Sequence, residues 1–289
     1  MVINLIKYKI DFNKIPVHTM HEHLLRTILS TQKTKKNIKI LDAGCGNLDL
    51  TKYLSENLKA EHFENVEFFG YEIDQKHDQD KLSMIITNDE VLSKMNLLDS
   101  FFVISLESYT LPFRDNFFDI IISNQVVEHV ADFDSFFYEL DRVLKVNGIQ
   151  IHAYPTKEIL IEPHLKIPLA HRISNKKYLF NYLKTVYRLK RRVSDDFLSG
   201  KVDYMMNKTN YRFWNHHFTF FENLGYKVMP NFSLFFPFVK LQRIMGNKRR
   251  FKYFSFGLFE SFFIQLSSYF YSITLIIKKR RSQKSRDKP

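Results

Sequence analysis

Ile38-Lys39-Ile40-Leu41-Asp42-Ala43-Gly44-Cys45-Gly46-Asn47 is the stretch on which the reading of this chain turns. Ile38, Ile40 and Leu41 give the pattern of a short buried strand, which then breaks into glycines. The spacing after them predicts a helix over Leu48–Leu58. A strand that feeds a glycine turn and then a helix is how open α/β sheets bring backbone close to a nucleotide-like ligand. Asp42 is out of place for a pyrophosphate, which it would repel, and suits a ligand that carries an amine or a positive charge. The stretch alone leaves both kinds of ligand open.

Downstream, strands are predicted at 66–74, at Phe101–Leu106, at 118–123 and at 149–154, the last ended by Pro155. Helical segments are expected at 78–98 and at 134–146, where Asn147-Gly148 reads as a stop. Alternation at this spacing means a mostly parallel sheet with helices on both faces. Upstream, 21–31 reads as an amphipathic helix with Leu24, Leu25, Ile28 and Leu29 on one side, serving as a lid or as a packing helix. Beyond 156 the periodicity weakens and basic residues accumulate. A helix is expected again at 218–224, stopped by Gly225, with a strand beginning at Tyr226–Val228 and a final strand at 271–277.

A chain of 289 residues with 45% hydrophobic side chains can bury a full core. Its lone cysteine, Cys45, excludes an intramolecular disulfide, and reads as a small residue that lets the turn close. The first ten residues, with Lys7 and Lys9 and no long apolar run, do not read as a signal peptide. The net charge of +12 is unevenly placed. Residues 1–155 hold 16 basic and 23 acidic side chains, a net of −7, and residues 156–289 hold 27 and 8, a net of +19. Such a field attracts phosphates, nucleic acid or anionic lipid.

Ligands of open α/β sheets lie at the carboxyl ends of the strands. Those ends carry Asp42 with Gly44 and Gly46, then Glu72, then Glu107, then Asn124 and Gln125. A carboxylate at Glu72 suits two ribose hydroxyls. The third strand is followed by Leu111-Pro112-Phe113 and Phe118-Asp119, the fourth by Glu128-His129-Val130. This ordered set resembles the class I S-adenosylmethionine-dependent methyltransferases, specifically the type 11-like branch with LDxGCG, LPF–FD and EHV motifs. The resemblance covers about residues 38–155 and returns weakly at 218–228. It departs at Leu48, where many members have glycine.

The resemblance implies an α/β, Rossmann-like fold with a mostly parallel seven-stranded sheet, a helical basic and aromatic insertion and a C-terminal extension. It implies S-adenosyl-L-methionine as cofactor. Asp42, with the backbone of Gly44 and Gly46, would hold the methionine part, Glu72 the ribose, Glu107 the adenine amino group, and Asn124 would line the pocket near the sulfonium. Asp119 reads instead as a turn brace. The ubiquinone-type O-methyltransferases associate an acid and histidine equivalent to Glu128-His129 with a divalent metal, together with a further acid where this chain has Gln125. No metal is therefore expected, and Glu128-His129 is read as bracing its turn.

Methyl transfer needs a positioned nucleophile and, for a hydroxyl, removal of its proton. The segment after the fifth strand holds His152, Glu162, His164 and His171. His164 is the first candidate for the general base, with His152 and His171 behind it; each could also be a hydrogen-bonded structural residue. His216-His217, beside Trp214, reads as pocket lining or packing. The Glu162-Pro163-His164…Pro168 pattern bears a shorter resemblance to methyltransferases of surface-polysaccharide and lipid-linked glycan assembly.

The expected organisation is an N-terminal helical lid over 1–36, the cofactor-binding core over 37–155, a substrate-region insertion over 156–215, a return to the sheet with an aromatic helix over 216–279, and a disordered basic tail over 280–289. The aromatic run 254–271 would reach ~27 Å as a helix, short of a bilayer core, and Glu260 within it opposes a spanning role. Two readings of it remain: packing on the sheet, or peripheral docking of 248–281 on an anionic membrane surface at the cytoplasmic face. The acceptor expected is a glycan or lipid-linked small molecule. A small-molecule or RNA methyltransferase is the alternative, although no RNA-binding module is visible. A non-catalytic cofactor-binding docking protein is the rival of another class.

Overall fold

A computed structural model describes residues 19–32, 36–46, 49–73, 101–106, 109–111, 113–189, 193–230 and 273–278. The elements in chain order are α1 (Thr19–Thr31), β1 (Lys36–Ala43), α2 (Asp49–Ala60), β2 (Glu64–Ile73), β3 (Phe101–Leu106), β4 (Phe118–Asn124), α3 (Phe133–Val143), β5 (Leu144–Tyr154), β6 (Ile161–Glu162), β7 (Ile167–Pro168), α4 (Lys176–Arg188), α5 (Asp195–Lys208), α6 (Trp214–Asn223), β8 (Lys227–Pro230) and β9 (Ile273–Lys278). Seven strands make one sheet in the order β3-β2-β1-β4-β5-β9-β8. The first five run parallel. β9 lies antiparallel between β5 and β8. The order reverses beside β1, which has β2 on one side and β4 on the other. At such a reversal the connections leave in opposite directions and a crevice opens at the strand ends.

Period-two alternation divides the core into two layers. Ile38 and Ile40 of β1 share one face with Ile120 and Ile122 of β4 and with Leu24, Leu25 and Ile28 of α1 and Leu54 and Leu58 of α2. Leu41, Ala43 and Ile121 share the other face with Phe136, Phe137 and Leu140 of α3 and Phe221 of α6. Over its described residues, α1 is thus a packing helix of the first layer. Its Leu24 and Ile28 are fully inaccessible.

One boundary differs from the sequence reading. α3, started by Asp132 accepting from the Ser135 N–H at 3.0 Å, ends at Val143 rather than running on to 146. Leu144 is wholly buried and pairs with Phe118, so the chain is already in the sheet. Asn147, at φ +68°, lies where the β4–β5 register shifts, and Asn147-Gly148 forms a strand irregularity instead of a helix stop. Asp119 has the structural role expected of it, but it lies within β4 and braces neighbouring strands rather than a turn. One of its oxygens accepts from the Lys39 N–H at 2.9 Å, and Lys145 Nζ lies 2.8 Å from both.

The insertion contains a third core of its own. Leu179 and Leu183 of α4 pack with Leu198, Val202 and Met205 of α5 and with Leu165 and Ile167 of the β6–β7 hairpin. Fully buried aliphatic side chains contribute about 1.5–3 kcal/mol each, enough to fix these two helices despite their many charges. Asn175 and Ser194 cap them, accepting from the Tyr178 and Phe197 N–H groups. The stretches 78–98, 248–272 and 280–289 lie outside the described residues, as do the aromatic run and the tail read from them. Among the described residues no helix is long and apolar enough to cross a membrane.

Candidate functional site

The turn after β1 lies at the crevice. Gly44 and Cys45 donate their N–H groups to the Tyr71 carbonyl of β2 at 2.8 and 3.1 Å, which folds the turn back over the strand end. Gly44 has φ +81°, and a Cβ there would stand 2.4 and 2.8 Å from the two methyls of Val126, so the residue is required twice over. Gly46, at φ +48°, would point a Cβ into open space. A backbone cradle with space above it fits a ligand laid along the turn. Asp42 is 1% exposed, and its Oδ2 accepts from Thr51 Oγ1 of α2 at 2.7 Å. The carboxylate is therefore aimed by the helix that the glycine turn starts.

β4 ends at Asn124, whose Oδ1 is buried without a hydrogen-bond partner. Gln125, at φ +58°, then turns the chain sharply and donates its N–H to the Ala153 carbonyl at 2.7 Å. That turn sets Val126 against Gly44 and delivers Glu128 and His129 in a single 3-10 turn. Glu72 stands one residue before the end of β2, level with Ser105 of β3, and its side chain lies outside the described set, as does Glu107.

The three candidate histidines part company here. His152 is fully buried, with Ser123 Oγ 2.7 Å from Nδ1 and Gln150 Oε1 2.9 Å from Nε2. Its ring meets Phe137 of α3 edge-on, which places it inside a core layer, and burial pushes its pKa down to about 3. It belongs to a polar chain that continues from Gln150 Nε2 to Tyr226 Oη at 3.3 Å and on to Asp141. With both nitrogens engaged, His152 has no means of taking an acceptor's proton, which corrects its place among the candidate bases. The alternation Ile149, Ile151, Ala153 against Gln150, His152, Tyr154 carried that signal.

His164 sits at the tip of the β6–β7 hairpin and reaches solvent with a quarter of its side chain. Its Nδ1 lies 2.7 Å from Glu162 Oε1 and 3.1 Å from Tyr211 Oη, and Tyr211 donates to the same Glu162 oxygen at 2.7 Å. Burial works to raise the Glu162 pKa, but the bonds from His164, Tyr211 and the Leu165 N–H outweigh it and hold the group below the usual carboxylate range. His171 lies tilted against the Tyr211 ring at 4.9 Å, with Nε2 3.2 Å from the Lys157 carbonyl oxygen and burial lowering its pKa.

His129 joins this cluster from the β4 side. Its ring meets that of His164 edge-on at 5.1 Å, and its Nδ1 donates to the Lys208 carbonyl at 2.6 Å. His129 thus braces its turn against α5, as expected. Glu128 does not. Its side chain is 1% exposed, neither carboxylate oxygen has a hydrogen-bond partner, and burial with the nearby Glu162 charge pushes its pKa up to about 8. Buried atoms without partners continue around the same strand ends, at Tyr154 Oη, Thr156 Oγ1 and Glu158 Oε2. The sequence reading passed over these three and Tyr211. Only the fold brings them together. His217 lies between the Phe133 and Tyr154 rings at 4.9 and 5.1 Å, in a packing position.

Residues 41–151 match the family described as Methyltransferase domain. Over 118 residues the chain is 35% identical to an uncharacterised methyltransferase of Schizosaccharomyces pombe, covering 39% of this chain and 38% of that one. Over 159 residues it is 27% identical to a ubiquinone biosynthesis O-methyltransferase of Pelagibacter ubique, covering 52% and 56%. The chain therefore spans well under two thirds of either relative. An S-adenosylmethionine-dependent methyltransferase from Mesorhizobium loti shares the fold, with a TM-score of 0.52 at 10% identity over 89% of this chain and 96% of that one.

Proposed function

Starting from the premise that residues 41–151 are a class I methyltransferase domain whose cofactor is S-adenosylmethionine, we propose that this chain transfers the methyl group to a hydroxyl of a polyhydroxylated, glycan-type acceptor. The observation that carries the reading is the set of buried polar atoms without partners at and just beyond the ends of β4 and β5, on Asn124, Glu128, Tyr154, Thr156 and Glu158. Each such atom costs about 1–3 kcal/mol if it stays unpaired. A fold keeps several of them in one place when a ligand or water rich in hydroxyls completes them.

The cofactor's sulfonium methyl supplies the electrophile. In this reading Gly44 and Gly46 give the methionine part its backbone cradle, Asp42 meets its ammonium, Glu72 takes the ribose, Glu107 the adenine amino group, and Asn124 faces the sulfonium. The acceptor lies across the strand ends between the 3-10 turn at Val127–His129 and the β6–β7 hairpin. The Glu162–His164–Tyr211 group then removes the hydroxyl proton: Glu162 holds the Nδ1–H, which leaves Nε2 as the basic atom. The identity to an O-methyltransferase supports oxygen as the atom methylated. A lipid carrier or a membrane surface would be met by the basic 248–281 segment.

The test is methyl transfer from labelled S-adenosylmethionine to glycan, lipid and RNA fractions. Label in the glycan or lipid-linked glycan fraction is the expected result. Label in RNA alone, with salt-sensitive RNA binding, would sink the acceptor assignment. Tight cofactor binding with no labelled acceptor in any fraction would favour the docking-protein reading.

A further inference from the structure

We propose that Glu128 and Glu158, together with the Tyr154 and Thr156 hydroxyls, form a subsite for a primary ammonium group, so that the acceptor is an amino sugar and not a neutral glycan. The bare atoms of this set are unequal in kind. Both Glu128 oxygens and Glu158 Oε2 are buried without a partner, and a carboxylate oxygen only accepts. Tyr154 Oη and Thr156 Oγ1 are bare as well, on side chains that are each 1% exposed. What the set lacks is donors and positive charge.

The protein supplies neither. Among the described residues no lysine or arginine forms an ion pair with Glu128 or Glu158. The Arg212 guanidinium donates to the Val130, Ala131 and Asn210 carbonyls and lies over the Phe133 ring. Glu162 is different: it accepts from Tyr211 and the Leu165 N–H and is held by His164. That group therefore stays with the hydroxyl to be methylated, and the bare carboxylates serve another part of the acceptor.

Three chain segments bring the set together. The Gln125 N–H bonds the Ala153 carbonyl, which sets the turn after β4 against the end of β5. The Asn210 N–H bonds the Glu128 carbonyl, and the Trp214 N–H holds Glu158 Oε1 at 2.8 Å, which leaves Oε2 over. Tyr154 stands within reach of both carboxylates: burial, then the Glu128 charge and then that of Glu158 push its pKa up. Glu128 by itself is held toward its protonated form, and an ammonium beside it acts in the opposite direction and favours the carboxylate.

The chemistry narrows the ligand. A hydroxyl brings one donor and no charge, whereas an ammonium brings three donors and the charge. The sulfonium of the methyl donor carries a charge but no N–H or O–H, so it cannot complete these oxygens. An amine held as ammonium has no lone pair, so its nitrogen is not methylated and the transfer stays on oxygen. The amino-sugar assignment rests on the glycan-type acceptor reading; the cation subsite does not.

The experiment measures dissociation constants of glucosamine, glucose and N-acetylglucosamine on the full chain by ligand-observed NMR, with the demethylated cofactor present. Glucosamine should bind about 10–100-fold more tightly than the other two, as one or more charge-assisted bonds require. The chain's net charge of +12 repels a cation at long range, so such a preference measures the local carboxylates. Glu128→Gln should erase the preference. Glu158→Gln should reduce it while its carboxamide oxygen still accepts from Trp214, and it carries the test if Glu128→Gln does not fold. S-adenosylmethionine affinity by calorimetry should keep its wild-type value in both. Equal binding of the three sugars, or a preference that survives both substitutions, would overturn the subsite, and so would loss of cofactor affinity in Glu128→Gln. Label transferred to neutral glycans without an amine preference overturns this subsite and leaves the hydroxyl reading standing. An amine preference with no label in any glycan does the reverse.

Discussion

His164 Nδ1 lies 2.7 Å from Glu162 Oε1, in a pair whose carboxylate is wholly buried and whose imidazole reaches solvent. The pair joins a fixed interior carboxylate to a solvent-facing imidazole. His164→Ala is expected to cut turnover on the labelled fraction by about 10²–10⁴-fold. Glu162→Gln keeps the shape and loses the charge, and should lower turnover with the cofactor's dissociation constant unchanged. Equal loss of cofactor affinity in both would show that the hairpin supports the cofactor pocket instead.

Gly44 and Gly46 give a sharp contrast inside one motif. Gly44→Ala combines a positive φ with a Cβ 2.4 Å from a Val126 methyl, so it should destabilise the fold by ~2–4 kcal/mol and abolish cofactor binding. Gly46→Ala meets nothing within 4 Å and should cost only the ~1–2 kcal/mol of the left-handed backbone. Denaturant midpoints of the two variants check this. A partial rescue of Gly44→Ala by Val126→Ala is the specific signature of the contact.

Asp42 and Thr51 should act in sequence. Asp42→Ala removes the carboxylate, and calorimetric affinity for S-adenosylmethionine should drop by more than 100-fold. Thr51→Val leaves the acid in place but loses the 2.7 Å bond that aims it, costing about 1 kcal/mol, or roughly five-fold in affinity. Identical losses in the two variants would mean that Asp42 serves the fold and not the ligand.

Acid stability should report the buried histidines. Burial holds His152 and His217 down to about 3, whereas both titrate near 6.5 in the unfolded chain. Below pH 6.5 the unfolded state takes up protons that the folded state refuses, so stability falls as pH drops from 6.5 toward 3. The slope is about 1.4 kcal/mol per pH unit for each histidine. His152→Gln should make that limb shallower in denaturant titrations at pH 7, 6 and 5. An unchanged slope would mean that His152 is not buried neutral in the native protein.

The core of the fold was legible because its signals are local. Ile38–Leu41, Phe101–Leu106 and the apolar run in 118–123 each mark a strand by their own residues, and their spacing fixes parallel crossovers. The insertion was less legible. Leu198, Val202 and Met205 follow helical spacing after the Ser194 cap, but a dense basic background hides the pattern, and its apolar face becomes meaningful only against α4. Helix propensity lost to pairing at Leu144, where a partner strand was waiting 26 residues upstream.

By itself the sequence determined the glycine turn after β1, which the proposed function gives to the methyl donor: Asp42-Ala43-Gly44-Cys45-Gly46 contains both the acid and the backbone freedom of that turn, since both depend on residues within one turn of chain. Tertiary structure alone decided which side chains gather beyond the ends of β4 and β5. His152 and His164 look alike in sequence, yet period-two pleating sends one into the layer under α3, and the hairpin carries the other toward Glu128 and His129. Val126 above Gly44, and the bare carboxylate of Glu128, likewise exist only once β4 lies between β1 and β5. Chemistry written in one segment can be read from it. Chemistry divided among segments waits for the fold to close the distance.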